Sequence, residues 1–190
     1  MAKKDQIKWN NKYQTTPELQ KTREPNARFK NLLHTISKGK ALDIACGTGK
    51  NSLYLAKLGF NVDALDISDV ALEILKNKKN ENITTKLVDL EEYKPEKNSY
   101  DLIVMTNYLD RKIIPFLLIG LKTEGILYIE TYMHHKENTK PNSNPDFLLK
   151  KEELKNFITQ NCKLIDYDEF DNDSDELYKM KKQSIIIQKI

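Results

Sequence analysis

With 190 residues, of which 39% are hydrophobic and 31% charged, the chain is near the size of one domain and holds too much apolar material to be disordered throughout. No apolar run approaches the roughly 18 to 20 residues needed to span a bilayer, and the two cysteines, Cys46 and Cys162, are poor grounds for a disulfide framework or a four-ligand zinc site. A net charge of +3 hides a Lys-rich start and an acidic stretch from Asp166 to Glu176 that includes Asp173 and Asp175. The basic start reads as a solvated surface, so the expectation is a soluble protein in a reducing, cytoplasmic setting, without a membrane or nucleic-acid partner.

After a polar lead, residues 25 to 36 place Ala27, Phe29, Leu32, Leu33 and Ile36 at near-helical spacing, closed by Gly39. Ala41, Leu42, Ile44 and Ala45 then form a short strand that runs into Cys46-Gly47-Thr48-Gly49, and Leu53, Leu55, Ala56 and Leu58 make a helix that Gly59 stops. The alternation repeats. A strand over 60 to 66 precedes a helix capped by Ser68; strands follow over 84 to 88 and 100 to 105, then a helix near 112 to 121 and a strand over 125 to 132. Residues 133 to 145 read as a long loop, 151 to about 159 as a helix, and 164 to 170 with 184 to 189 as two closing strands able to pair antiparallel. Alternating strand and helix periodicity predicts an α/β fold built on a doubly wound, mostly parallel sheet, with residues 1 to 190 as one domain. Within it, 1 to 24 is an N-terminal lid or helical segment and 25 to 190 the core.

Ligands of open α/β sheets bind at the carboxyl ends of the strands. Three of those ends carry chemistry: Asp43 with Ala45 and the glycine loop of Cys46, Gly47 and Gly49; Asp66, 17 residues after Gly49; and Asp89 with Leu90. Glycines let a ligand approach the backbone, the following helix offers free N–H groups, and an acid at this spacing reaches ribose hydroxyls. A nicotinamide site would place a third glycine where Ser52 stands, so that cofactor fits poorly.

Asp43 to Gly49 resembles the first motif of class I S-adenosylmethionine-dependent methyltransferases, Asp-x-x-x-Gly-x-Gly, and the resemblance continues through Asp66 and Asp89-Leu90. It implies a Rossmann-like seven-stranded sheet with helices on both faces and an antiparallel last strand. Over most of its length the chain is similar to a bacterial group related to tellurite-resistance methyltransferases, through Trp9 to Tyr13, Ala41 to Asp66, Leu109-Asp110-Arg111, Ile129-Glu130-Thr131 and Asn144 to Leu149 with Glu153-Leu154. Thr123-Glu124-Gly125 departs from the Pro-Gly-Gly common before the fifth strand, which leaves the shape of that turn open.

The resemblance implies that S-adenosylmethionine is the cofactor and S-adenosylhomocysteine the product. Asp43 would hold the methionine amino group, Gly47 and Gly49 would admit the cofactor to the backbone of Ala45, Cys46 and Asn51, Asp66 would accept from the ribose with Ile67 against the adenine, and Asp89 would accept from the adenine amino group. Thr106-Asn107-Tyr108 would contact the methionyl part; it lacks the prolines of base-specific amino-methyltransferases, which favours a small-molecule acceptor, an oxyanion or a thiol. Arg111 as anion clamp, Glu130, Tyr132 and His134 are the catalytic candidates, with a structural Arg111–Glu130 pair as the alternative. Trp9 and Tyr13 would either cover the cofactor as a lid or pack as an ordinary helix. No metal is expected, and the oligomeric state is read as monomer or homodimer. A non-catalytic cofactor-binding protein and a nicotinamide oxidoreductase remain the competing functions.

Overall fold

The structure is a computed structural model that describes residues 2 to 141, 143 to 172 and 176 to 190; Asp173 and Asp175 of the acidic stretch lie outside them. Three helices precede the sheet: α1 (Ala2–Thr15), α2 (Pro17–Gln20) and α3 (Ala27–Leu33). The strands are β1 (Lys40–Ile44), β2 (Asn61–Asp66), β3 (Ile83–Leu87), β4 (Tyr100–Thr106), β5 (Leu121–Tyr132), β6 (Cys162–Asp171) and β7 (Lys181–Lys189), interleaved with α4 (Lys50–Lys57), α5 (Asp69–Lys76) and α6 (Ile114–Gly120).

They form one seven-stranded sheet in the order β3-β2-β1-β4-β5-β7-β6. Pairings from β3 to β5 are parallel, whereas β7 runs antiparallel between β5 and β6. Strand order reverses at β1 and β4, so the carboxyl ends of those two strands border the crevice such a sheet leaves for a ligand.

The alternation of side chains along each strand sorts the core into two layers. Leu42, Ile44, Ile103, Met105, Leu127 and Ile129 pack with Ile114 and Leu117 of α6. On the other face Ala41, Leu102, Val104 and Tyr128 pack with Phe29 of α3, Leu55 of α4 and Leu72 of α5. Phe29 and Tyr128 stack with ring centroids 4.9 Å apart. Each fully buried Leu, Ile, Val, Phe or Met among them contributes roughly 1.5 to 3 kcal/mol.

Caps fix where the helices start. Ser68 accepts from the Ala71 amide at the head of α5, as its sequence position predicts. Asn26 does the same for α3, accepting from Phe29 N at 2.9 Å while its amide nitrogen donates to Glu130, so one side chain both starts the helix and docks it on β5.

Two expectations need correction. Residues 151 to 159 do not form an α-helix: only a 3-10 turn over Glu153–Phe157 is present. Glu152 adopts φ 56°, and the Glu153 carboxylate folds back to the Lys150 amide and to Arg111, so the backbone is held in a tight turn. The strand expected over 125 to 132 begins at Leu121 instead. Its register on β4 jumps from the Tyr100–Leu121 pair to Leu102–Ile126, and Gly125 lies in the resulting bulge, where an added Cβ would come 2.8 Å from the Lys122 carbonyl.

Candidate active site

β1 ends in a backbone that turns sharply. Ala45 has φ 53°, Gly47 φ 56° and Gly49 φ 86°, and a left-handed conformation is uncommon for any residue with a Cβ. Space is as restrictive as the torsions: a Cβ on Gly49 would lie 2.3 Å from Leu75 Cδ1, and one on Gly47 would lie 2.6 Å from the Tyr13 hydroxyl. The loop is pinned at its other side by Asp66, which accepts from Gly47 N at 2.8 Å and Ser68 N at 2.9 Å. Burial pushes the Asp66 carboxyl above its usual range, against the pull of those amides.

Asp43 lies in the floor. It is 1% exposed, its Oδ2 accepts from the Ser52 hydroxyl at 2.6 Å, and its Oδ1 has no hydrogen-bond partner among the described residues. Burial raises its carboxyl to about 6, more than the Ser52 bonds lower it. An orphaned buried carboxylate oxygen beside a glycine loop suits a cationic group such as the ammonium of a methionyl ligand. Ser52, where a nicotinamide site would need glycine, thereby serves to aim Asp43. The residues present fit S-adenosylmethionine at this end.

Beyond β1 the same face of the sheet carries a row of polar groups. Asn51 of α4 donates to Thr106 Oγ1 at the end of β4, 2.9 Å away. Thr106 pairs in register with Glu130 of β5, and Glu130 with Ser184 of β7. The Glu130 carboxylate, 3% exposed, accepts from Lys182 Nζ at 3.3 Å, from the Tyr128 hydroxyl at 2.6 Å and from Asn26. Tyr132 donates to Glu176 at 2.8 Å, and its hydroxyl is pushed well above the usual range, by burial first and the adjacent acids second.

The remaining expected residues fall into two sets. Asp89 closes a turn by accepting from Glu91 N beside buried Leu90, and Tyr108 lies near Asp89, Glu91 and Asp5 of α1. Asn107 is exposed at φ 56° with its amide bonded to the Glu130 carbonyl, and Ile67 lies half-buried between Asp66 and Ser68. Arg111 does not join them, nor does it pair with Glu130. Its guanidinium binds the Glu153 carboxylate and the carbonyls of Asp146 and Leu148, so it ties down the loop after β5. His134 is exposed and joins the fold through its amide, which donates to the Leu149 carbonyl. Among the described residues no group of three or more His, Cys, Asp or Glu side chains could hold a metal ion, and no helix is long and apolar enough to cross a membrane.

The N-terminal helix α1 lies over this crevice. Asn10 and Gln6 donate to Asp69 and Ser68 donates to Asn10, while Thr48 donates to the Leu19 carbonyl of α2. Trp9 and Tyr13, with centroids 5.9 Å apart, are half-buried. Lys50, Lys182 and Asn26 went unremarked in the sequence. For Lys50 a signal exists: it opens α4, a helix with no acid in its first turn, and a cation there opposes the helix dipole.

The family model described as "Tellurite resistance protein TehB" matches residues 1–188. The chain belongs to the TehB family. It is 39% identical over 93 residues to the "Probable S-adenosyl-L-methionine-dependent methyltransferase TehB" of Haemophilus influenzae, an alignment covering 46% of this chain and 32% of that protein. The matched region thus spans about a third of that curated TehB relative. The crystal structure of TehB from Haemophilus influenzae superposes with a TM-score of 0.73 at 26% identity, over 97% of this chain and 67% of that one. An S-adenosylmethionine-dependent methyltransferase from Methanosarcina mazei, 19% identical with a TM-score of 0.70 over 88% and 99% of the two chains, shares the fold.

Proposed function

We propose that this TehB-family chain transfers a methyl group from S-adenosylmethionine to a small-molecule acceptor. The observation that carries the reading is the buried, unpartnered Oδ1 of Asp43 beside a glycine loop held open by Asp66 and covered by Tyr13. Asp43 takes the ligand's ammonium, Asp66 uses its remaining lone pairs on the ribose hydroxyls, Ile67 packs on the adenine, and Asp89 with Leu90 meets the adenine edge. Gly47 and Gly49 leave room at the backbone of Ala45 and Cys46, while Thr106, held by Asn51, stands with Asn107 and Tyr108 at the methionyl end. Trp9 and Tyr13 on α1 act as a lid that excludes water.

S-adenosylmethionine supplies an electrophilic methyl carbon, so the chain's work is alignment and the exclusion of water. Two of the candidate bases are occupied, Glu130 by Lys182, Tyr128 and Asn26 and Tyr132 by Glu176, and the third, His134, is exposed in the loop after β5. This favours an acceptor that attacks without a base, a selenium or tellurium oxyanion or a thiolate, over an alcohol or ammonium. Arg111 then supports the site through the loop it anchors.

Calorimetric titration with S-adenosylmethionine, S-adenosylhomocysteine and NAD tests the cofactor. Micromolar binding of the first two and none of the third is expected; NAD binding, or no binding by folded protein, refutes it. Turnover on tellurite, selenite and small thiols then tests the transfer, and cofactor affinity without turnover on any acceptor would leave a binding protein.

A further inference from the structure

β3 is an edge of the sheet, paired on one side only, with β2. At the two ends of that pairing the Asn82 carbonyl accepts from Val62 N, and Val88 N donates to the Asp66 carbonyl. Backbone groups along a strand alternate in direction, so residues 82, 84, 86 and 88 face β2, whereas Ile83, Thr85 and Leu87 turn theirs outward. Of those outward groups, only Ile83 N has a partner among the described residues, the Asn80 carbonyl at 3.2 Å.

Little protects this edge from another strand. Its register on β2 runs without a bulge, its one charge, Lys86, is bound to Asp63 at 3.1 Å, and Leu87 is 56% exposed. Two adjoining cavities of about 450 and 320 Å³ follow the seam between β3 and α5, and Thr85 and Lys76 line both. Val70 and Ile74 of α5 line the larger one and are half-buried. The opposite edge of the sheet differs: β6 carries Asp166, Asp168, Glu169 and Asp171 and a register shift after Leu164, so a like strand is repelled there.

What matches β3 is β3 itself. An antiparallel copy centred on Thr85 sets Thr85 against Thr85, Ile83 against Leu87 and Thr84 against Lys86, so no like charges stand opposite each other. The free backbone groups are in phase with that register: Thr85 N meets the Thr85 carbonyl, and Leu87 N the Ile83 carbonyl, of the other copy. A two-fold axis normal to the sheet keeps both α5 helices on one face. Because α5 packs over β2 and β3, the two helices then run antiparallel about 9 to 10 Å apart, twice the strand spacing and the distance at which helices pack. Val70, Ile74 and Leu87 of both copies close the seam. Charge agrees with shape: Asp69 and Glu73 lie in the first half of α5, Lys76 at its end and Lys79 just beyond, and the antiparallel pair lays the acidic half of each helix along the basic half of the other.

We propose that the β3–α5 edge is a self-complementary interface, through which two copies of this chain join their sheets into one. It lies outside the crevice, and so is independent of the methyl-transfer reading.

The experiment is light scattering on the full chain over a dilution series, with Thr85→Pro, Thr85→Glu and Thr85→Lys beside it and circular dichroism to verify folding. The unmodified chain should show twice the mass of one chain, falling towards the single mass on dilution. Thr85→Pro removes an outward N–H and no bond to β2, and should run as a single chain where the unmodified protein is doubled. Thr85→Glu and Thr85→Lys each set like charges together on the axis and should also run singly. Mixed in equal amounts these two should recover the doubled mass, an outcome that holds the test open even where the proline variant does not fold. A single-chain mass for the unmodified protein throughout the series overturns the proposal. A doubled mass that survives in the Glu and Lys variants places the interface elsewhere and overturns it, as does a mixture of the two that stays single.

Discussion

Asp43→Asn separates what the site needs from what the fold would prefer. In the unfolded chain this carboxyl ionises near 3.8, in the folded one near 6. Between those values the folded state holds the extra proton, so stability falls as pH rises through that window and the loss is complete above about 6. The displacement corresponds to about 3 kcal/mol at pH 8. Asparagine carries no charge to bury and its amide oxygen can still accept from Ser52, but its NH2 takes the place of an oxygen that has no partner, costing about 1 kcal/mol. The variant should therefore be about 2 kcal/mol more stable than the parent at pH 8 and slightly less stable at pH 4, read from urea unfolding at both values. Its affinity for S-adenosylmethionine should drop at least about tenfold. The parent's affinity should decline below about pH 6, as the proton competes for the carboxylate, and that dependence should vanish in the variant. A variant destabilised equally at pH 8 and pH 4 would refute the claim that Asp43 is a buried charge kept for a ligand.

Gly47→Ala sets a methyl group against the Tyr13 hydroxyl at φ 56°. It should cost about 1 kcal/mol or more in stability and, by lifting α1, should speed cofactor release in stopped-flow measurements; an unchanged release rate would show that α1 is no lid. Arg111→Met removes a partly exposed strut that joins the Glu153 carboxylate to two carbonyls, so a loss of about 1 to 2 kcal/mol in thermal unfolding is expected. Cofactor affinity should hold in that variant, and its collapse would return Arg111 to the site.

The parts of this fold that could be read from the chain are those fixed by neighbours in sequence. The apolar run of β4 and the Ser68 cap of α5 owe their form to residues within a few positions, and so does the turn from Asp43 to Gly49. What could not be read depends on distant partners. Glu130, near the end of β5, and Arg111, in the turn after β4, look alike as polar residues beside the crevice, yet one finds Lys182, 52 positions on, and the other Glu153, 42 positions on. Those meetings are decided by the register of β5 on β7 and by the path of the loop after β5, which no run of neighbouring residues specifies. The tight turn at Glu153–Phe157 is a further case, because Arg111 draws the Glu153 carboxylate out of a stretch whose composition suits a helix.

β7 follows β6 in the chain but lies between it and β5. During synthesis, residues 162 to 171 therefore leave the ribosome before the strand they pair with, and must wait for 181 to 189 to arrive and fill the gap. Until then Glu130 has no Lys182 to meet it, and β5 is an open edge. The half of the crevice nearest β7 is thus assembled last, in a step that closes a sheet and neutralises a buried acid together.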